Sequence, residues 1–162
     1  VKRTPVLDAG AVDWTVANLE ALQWALEYGY QLIKGINDTT RLQIANEIRY
    51  FIDNSITINQ LRDRLMESTL FSLVRAESIA ITEVTRAYQQ GSLAAWRRSG
   101  VVQGKEVQTA TDELVCPICA PKSGKVFRLD DPRGDAPFHP RCRCWSTPVV
   151  IGDDAEFSEE VL

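Results

Sequence analysis

Apolar positions in the first hundred residues recur at helical spacing. Over residues 13–33 they fall at Trp14, Leu19, Leu22, Leu26, Tyr30 and Ile33, which predicts one helix with this stripe turned to a core. Gly29 weakens its end, and Gly35 followed by Asn37-Asp38 predicts a stop and a restart. A second helix carries Leu42, Ile44, Ala45, Ile48, Phe51 and Ile52 inward and ends near Asn54-Ser55. Thr57, with Gln60 three residues on, has the form of a capping box and opens a short helix burying Ile58, Leu61 and Leu65. The longest helix is predicted from about Leu70 to Arg98, with Ile79, Ala80, Val84, Ala87 and Tyr88 on one side and a bend or break at Gly91-Ser92. Ser99-Gly100 ends it, behind two arginines that suit the helix dipole. Periodic helices joined by short polar turns predict antiparallel packing around a shared core.

After Gly100 the pattern changes. Short segments rich in β-branched and aromatic residues, at 105–110, 125–129 and 143–150, alternate with turn-formers at Pro117, Pro121, Ser123-Gly124, Asp131-Pro132, Gly134 and Pro137. The expected class is therefore α+β. A mainly helical N-terminal two-thirds packs on a small β-rich C-terminal module that cysteines and a histidine staple together. The expected organisation is a helical extension over 1–69, the long helix with the Cys/His β module over 70–150, and an acidic tail over 151–162 that frays or leads into a further segment.

A length of 162 residues fits one domain with a helical extension. The net charge of −4 argues against a general nucleic-acid binder, which carries a basic excess. It leaves a local patch at Arg97, Arg98, Arg133, Arg141 and Arg143 as the candidate for contact with DNA. No apolar run approaches the ~18 residues of a membrane span. The start "VKRTPVLDAG" lacks the pattern of a secretory signal and has no initiator Met, so the chain reads as a piece of a longer or processed protein. Without evidence of export, the four cysteines are expected to be reduced and metal-bound, with two disulfides or simple buried thiols as alternatives.

The chemistry concentrates in Cys116-x2-Cys119 and in His139-x2-Cys142-x-Cys144, which includes the only histidine. Two thiolates from one tight turn, favoured by Pro117, bind one side of a metal ion, and a second pair from a distant turn closes the tetrahedron. The expected zinc ligands are Cys116, Cys119, His139 and Cys142, with Cys144 as the alternative fourth. A small proline-rich module has little apolar material to hold itself, so a metal clamp makes physical sense. Four or five soft ligands describe a closed structural site, whereas a hydrolytic zinc keeps a position open for water. With one histidine there is no H-E-x-x-H, and no H-x-E precedes "VCPIC" as a zinc deaminase requires. No catalytic residue is assigned.

The run from "RAESIAITEVTRAYQQGSLAAWRRSG" through "QTATDELVCPICAPKSGKVF" to "APFHPRCRCWSTPVV" resembles the phage head-morphogenesis domain named after protein F of phage Mu, over about residues 75–150. The positions that carry the resemblance are Thr82, Glu83 and Arg86; Thr109, Asp112, Cys116, Pro117, Cys119, Gly124 and Lys125; and His139, Pro140, Cys142, Arg143 and Cys144. Lys122-Ser123 stands where many relatives have Leu-Asp, a departure confined to a turn.

The resemblance implies a minor head protein of a tailed phage or prophage that associates with the portal and the growing procapsid. It places the protein in the virion and, during assembly, in the host cytoplasm. Partners would be portal, major capsid or scaffold proteins, with packaged DNA and self-association left open and no membrane. On this view Thr82, Glu83, Arg86 and Asp112 are structural, the last three holding the β module against the long helix, and exposed aromatics such as Trp24 or Trp96 mark partner contacts. Some relatives carry this domain fused to a toxin, so the alternative is the non-toxic part of a delivered effector, or a cryptic nucleic-acid-acting enzyme. An open cleft joining Glu83, Asp112 and a metal-free His139 would favour the enzyme.

Overall fold

A computed structural model describes residues 14–28, 30, 33–110, 115–150 and 157–158. Four helices come first: α1 (Trp14–Glu27), α2 (Asp38–Asn54), α3 (Ile58–Thr69) and α4 (Leu73–Ser99). Three strands follow, β1 (Val102–Gln108), β2 (Val126–Arg128) and β3 (Trp145–Val150), in an antiparallel sheet of order β2-β1-β3. The class is α+β, as expected.

Local chemistry sets the helix ends. Asn37 caps α2 by accepting the Thr40 N–H at 2.8 Å, and Thr57 and Gln60 form the reciprocal capping box on α3. Gly100, at φ 69°, turns the chain out of α4 in the left-handed conformation that glycine adopts without a Cβ clash. The α2 face buries Ile44, Ala45, Ile48, Phe51 and Ile52, while Leu42, expected inside, is exposed. In α3, Leu61 and Leu65 are buried as expected.

Helix α1 departs from its pattern. Leu19 and Leu26 face solvent, and Ala17, Ala21 and Ala25 are buried. The cause lies on α4. A Cβ added to Gly91 would stand 2.2 Å from the Ala17 carbonyl oxygen and 2.9 Å from the Ala21 Cβ. The two helices therefore cross almost backbone to backbone, and only small side chains fit between them. Gly91 neither ends nor interrupts α4, which runs unbroken for 27 residues; it is the contact point that lets α1 lie there.

Helix α4 serves two cores. Its first half contributes Ala76, Ile79, Ala80, Val84 and Ala87 to a core with α1, α2 and α3. Its second half contributes Leu93, Ala95 and Trp96, which pack with Ala17 and Val102 and against Leu129 and Val150. Trp96 is thus core and unavailable to a partner, whereas Trp145 is half-exposed. Trp24 stacks on Tyr28 with ring centroids 4.3 Å apart. Within the sheet, Lys105 is fully buried and bonds to Asp135 and to the Leu129 carbonyl, so that a buried ion pair ties β1 to the loop before the histidine.

Candidate metal centre

The first cysteine pair sits in the tight turn the sequence asks for. Cys119 and Ala120 both donate their N–H to the Cys116 carbonyl at 3.0 Å, and a 3-10 turn over Ala120–Lys122, with Pro121 in it, leads on toward β2. The second group sits on the loop before β3. There Cys142 N–H donates to the His139 carbonyl at 3.2 Å, and Arg141 takes a left-handed backbone, φ 59°.

That conformation is held from α4. Thr82 donates its hydroxyl to the Ser78 carbonyl at 2.6 Å and accepts the Arg141 N–H at 2.9 Å. The Arg141 guanidinium reaches Glu77, one turn earlier on the same helix. These bonds fix the histidine loop to the long helix. Glu77 and Arg141 were not expected in this role.

All five candidate ligands converge. His139 Nε2 lies 3.1 Å from both Cys116 Sγ and Cys119 Sγ, and Cys119 Sγ lies 3.7 Å from Cys142 Sγ. The ligand atoms fall into two trios, Cys116/Cys119/His139 and Cys119/Cys142/Cys144, each within 4.8 Å and both containing Cys119. His139 Nδ1 lies 2.8 Å from the Pro140 carbonyl. A carbonyl oxygen only accepts, so Nδ1 carries the proton and Nε2 presents its lone pair to the sulfurs, the orientation a ligating histidine needs. A tetrahedral ion with metal–sulfur bonds of about 2.3 Å has neighbouring sulfurs about 3.8 Å apart, close to the Cys119–Cys142 separation. The cluster is able to hold a metal ion.

Burial and the bonds among the thiols move their ionisation in different directions. Burial, with hydrogen bonds to Cys144, Cys116 and Cys142, pushes Cys119 far up. Burial also pushes Cys144 up to about 11, against a lowering bond from Cys119. At Cys116 desolvation acts upward but is outweighed by hydrogen bonds from Cys119 and from the Ile118 backbone, and its thiol sits below the ordinary value. A cation among them would favour the thiolates at once.

Beside the cluster, a cleft of about 350 Å³ opens between α4 and residues 137–140. Thr82, Glu83, Arg86 and His139 line it, with Ile79 and Phe138 among its apolar walls. Glu83 is buried and faces Arg86 at 3.3 Å. The structure thus brings together Thr82, Glu83, Arg86 and His139 from the sequence; Asp112 lies outside the described residues. The candidate basic patch is locally engaged: Arg98 pairs with Glu20, Arg133 with Asp131 and Arg141 with Glu77, and Arg97 donates to the Leu129 carbonyl. Among the described residues no helix is long and apolar enough to cross a membrane.

Burial raises the Glu83 carboxyl above its ordinary value, and the charge and hydrogen bond of Arg86 only partly offset this. As pH rises past the unfolded value, the unfolded chain loses this proton while the folded chain keeps it. The Glu83 contribution to stability therefore falls from about pH 4.5 up to the raised folded pKa. Glu83→Gln is expected to remove that fall, so its stability relative to the parent, read by urea unfolding at pH 4 to 8, rises with pH. A difference that is flat across this range would contradict the buried placement.

The sequence profile of the family described as "Phage Mu protein F like protein" matches residues 42–147, more than half of the chain. No curated protein and no solved structure matches.

Proposed function

Since the chain belongs to the phage Mu protein F like family, we propose that it is a minor head protein of a tailed phage or prophage, acting in procapsid and head assembly by binding portal, major capsid or scaffold components. It works in the virion and, during assembly, in the host cytoplasm. Its role is binding, with no bond made or broken. The observation that carries this reading is the family match over residues 42–147.

The Cys/His cluster supplies the rigid part. Zinc bound by Cys116, Cys119, His139 and Cys142, with Cys144 as alternative fourth ligand, joins the turn before β2 to the loop before β3. Soft ligands filling all four positions leave none for water, which suits a structural ion. Thr82, Glu83, Arg86 and Asp112 act structurally, seating this module on α4.

A second reading, an enzyme on nucleic acid or the non-toxic part of a delivered effector, is favoured by one observation. Glu83 and His139 share the cleft, and a histidine free of metal would be available there for acid–base chemistry.

The assembly role is tested by deleting the coding segment for residues 42–147 from the parent phage. Lysates are expected to hold tails but no DNA-filled heads under negative-stain microscopy; filled heads in normal number would overturn it. Metal content and a free-thiol count on the non-reduced protein separate the two readings. One zinc per chain supports the clamp, and no metal with no free thiols supports disulfides and a free His139.

A further inference from the structure

The C-terminal segment is expected to fray, yet Phe157 and Ser158 are half-buried against the sheet. Ser158 N–H donates to the Val126 carbonyl at 2.7 Å. β2 is an edge strand. Carbonyls alternate along a strand, and that of Lys125 already accepts from Val107 on β1, so the Val126 carbonyl faces the open side.

The Phe157 ring lies on the Cα of Gly104. A Cβ at that position would stand 2.7 Å from the ring's Cε1. Arg128, directly across from Gly104 in the β1–β2 register, holds its guanidinium over the ring, 4.8 Å from the centroid. An aromatic ring covering a strand glycine compensates for the missing side chain, and here the ring comes from outside the sheet. The seat therefore has a strand edge, a glycine floor and a cationic cover. It fits an extended segment with an aromatic residue, and in the sequence Phe157 stands among Asp153, Asp154, Glu156, Glu159 and Glu160, opposite in charge to Arg128 of the seat.

We propose that this seat is a self-association site: the open edge of β2 takes the C-terminal segment of a second copy of the chain in exchange for its own. The occupant is already defined by the segment seated there. Among the described residues its hold consists of one backbone hydrogen bond, one ring contact and one cation–π contact, all of which the same segment of a second copy reproduces. A short tether supplies an effective concentration on the order of millimolar, and copies crowded to similar concentration compete on equal terms. Unpaired strand edges favour this kind of exchange. The proposal does not depend on the head-assembly reading.

The test uses the full chain and a fluorescein-labelled peptide of residues 151–162. A Phe157→Ala chain, with its seat vacated, is expected to bind the peptide about tenfold or more tighter than the parent, whose own tail competes. Arg128→Ala is expected to weaken binding, and a peptide carrying Phe157→Ala is expected not to bind. In sedimentation velocity the parent is expected to associate reversibly as it approaches millimolar concentration, and excess unlabelled peptide is expected to disperse the complex. Should Phe157→Ala impair folding, this dispersal, set against the inactive Phe157→Ala peptide, decides the matter on the parent chain alone. Absence of peptide binding at about 1 mM overturns the seat, and peptide binding by a parent that stays monomeric overturns the second copy as its partner.

Discussion

Cys119→Ser is expected to yield a chain without bound metal, less stable than the parent by roughly 4 kcal/mol or more. At this chain length that corresponds to a fall in Tm of about 10 °C. Cys119 is the one ligand common to both trios, and it contacts His139 on one side and Cys142 on the other. No four-ligand set that joins the two halves of the cluster leaves it out, except by widening the site. Cys144→Ser should differ sharply: with Cys116, Cys119, His139 and Cys142 as ligands, metal is retained and the cost is that of a buried thiol-to-hydroxyl change, about 1–2 kcal/mol. The measurement is metal per chain by mass spectrometry together with urea unfolding. A Cys119→Ser chain that keeps one metal, or loses only about 1 kcal/mol, would mean that the cysteines are a packed thiol cluster and not a clamp.

Gly91→Ala inverts the usual rule for glycine in a helix. In an unobstructed helix the change gains up to about 1 kcal/mol. Here the new methyl would sit 2.2 Å from a backbone oxygen of α1, and a backbone cannot swing aside as a long side chain can. A destabilisation of about 3 kcal/mol is expected, or release of α1 from α4. Urea unfolding reads the first outcome. Limited proteolysis after residue 27 reads the second, because α1 would then lose its main packing partner and keep only the smaller contact with α2. A Gly91→Ala chain more stable than the parent would show that α1 does not lie against α4 as described.

These two positions also mark how far the sequence is legible. Where one apolar face packs by bulk, as in α2 and α3, periodicity and capping residues give the helices almost to the residue. In α1 the same logic picks Leu19 and Leu26 because large apolar residues outweigh alanine in any hydrophobic pattern, while a close crossing demands the reverse. Gly91 looks like a breaker until its partner backbone is known. The cysteine and histidine cluster is legible because its residue types recur at the short spacings that suit metal ligation. The bonds that seat them are not, since Arg141 meets Thr82 and Glu77 across 59 and 64 residues of chain. The Lys105–Asp135 pair was missed for the same reason, and a buried lysine within a strand has no local signature.

Because α4 is a single helix shared by two cores, the chain has few places where it can be cut and rejoined. A recombination joint within 73–99 would pair half of one core with a foreign half of the other, leaving Ile79, Val84 and Ala87, or Leu93 and Trp96, without the surfaces that cover them. Recombinants that fold are therefore expected to inherit the helix whole, together with the histidine loop that Thr82 anchors and the alanine face that Gly91 admits. Exchanges that preserve the fold would fall in the connections between elements.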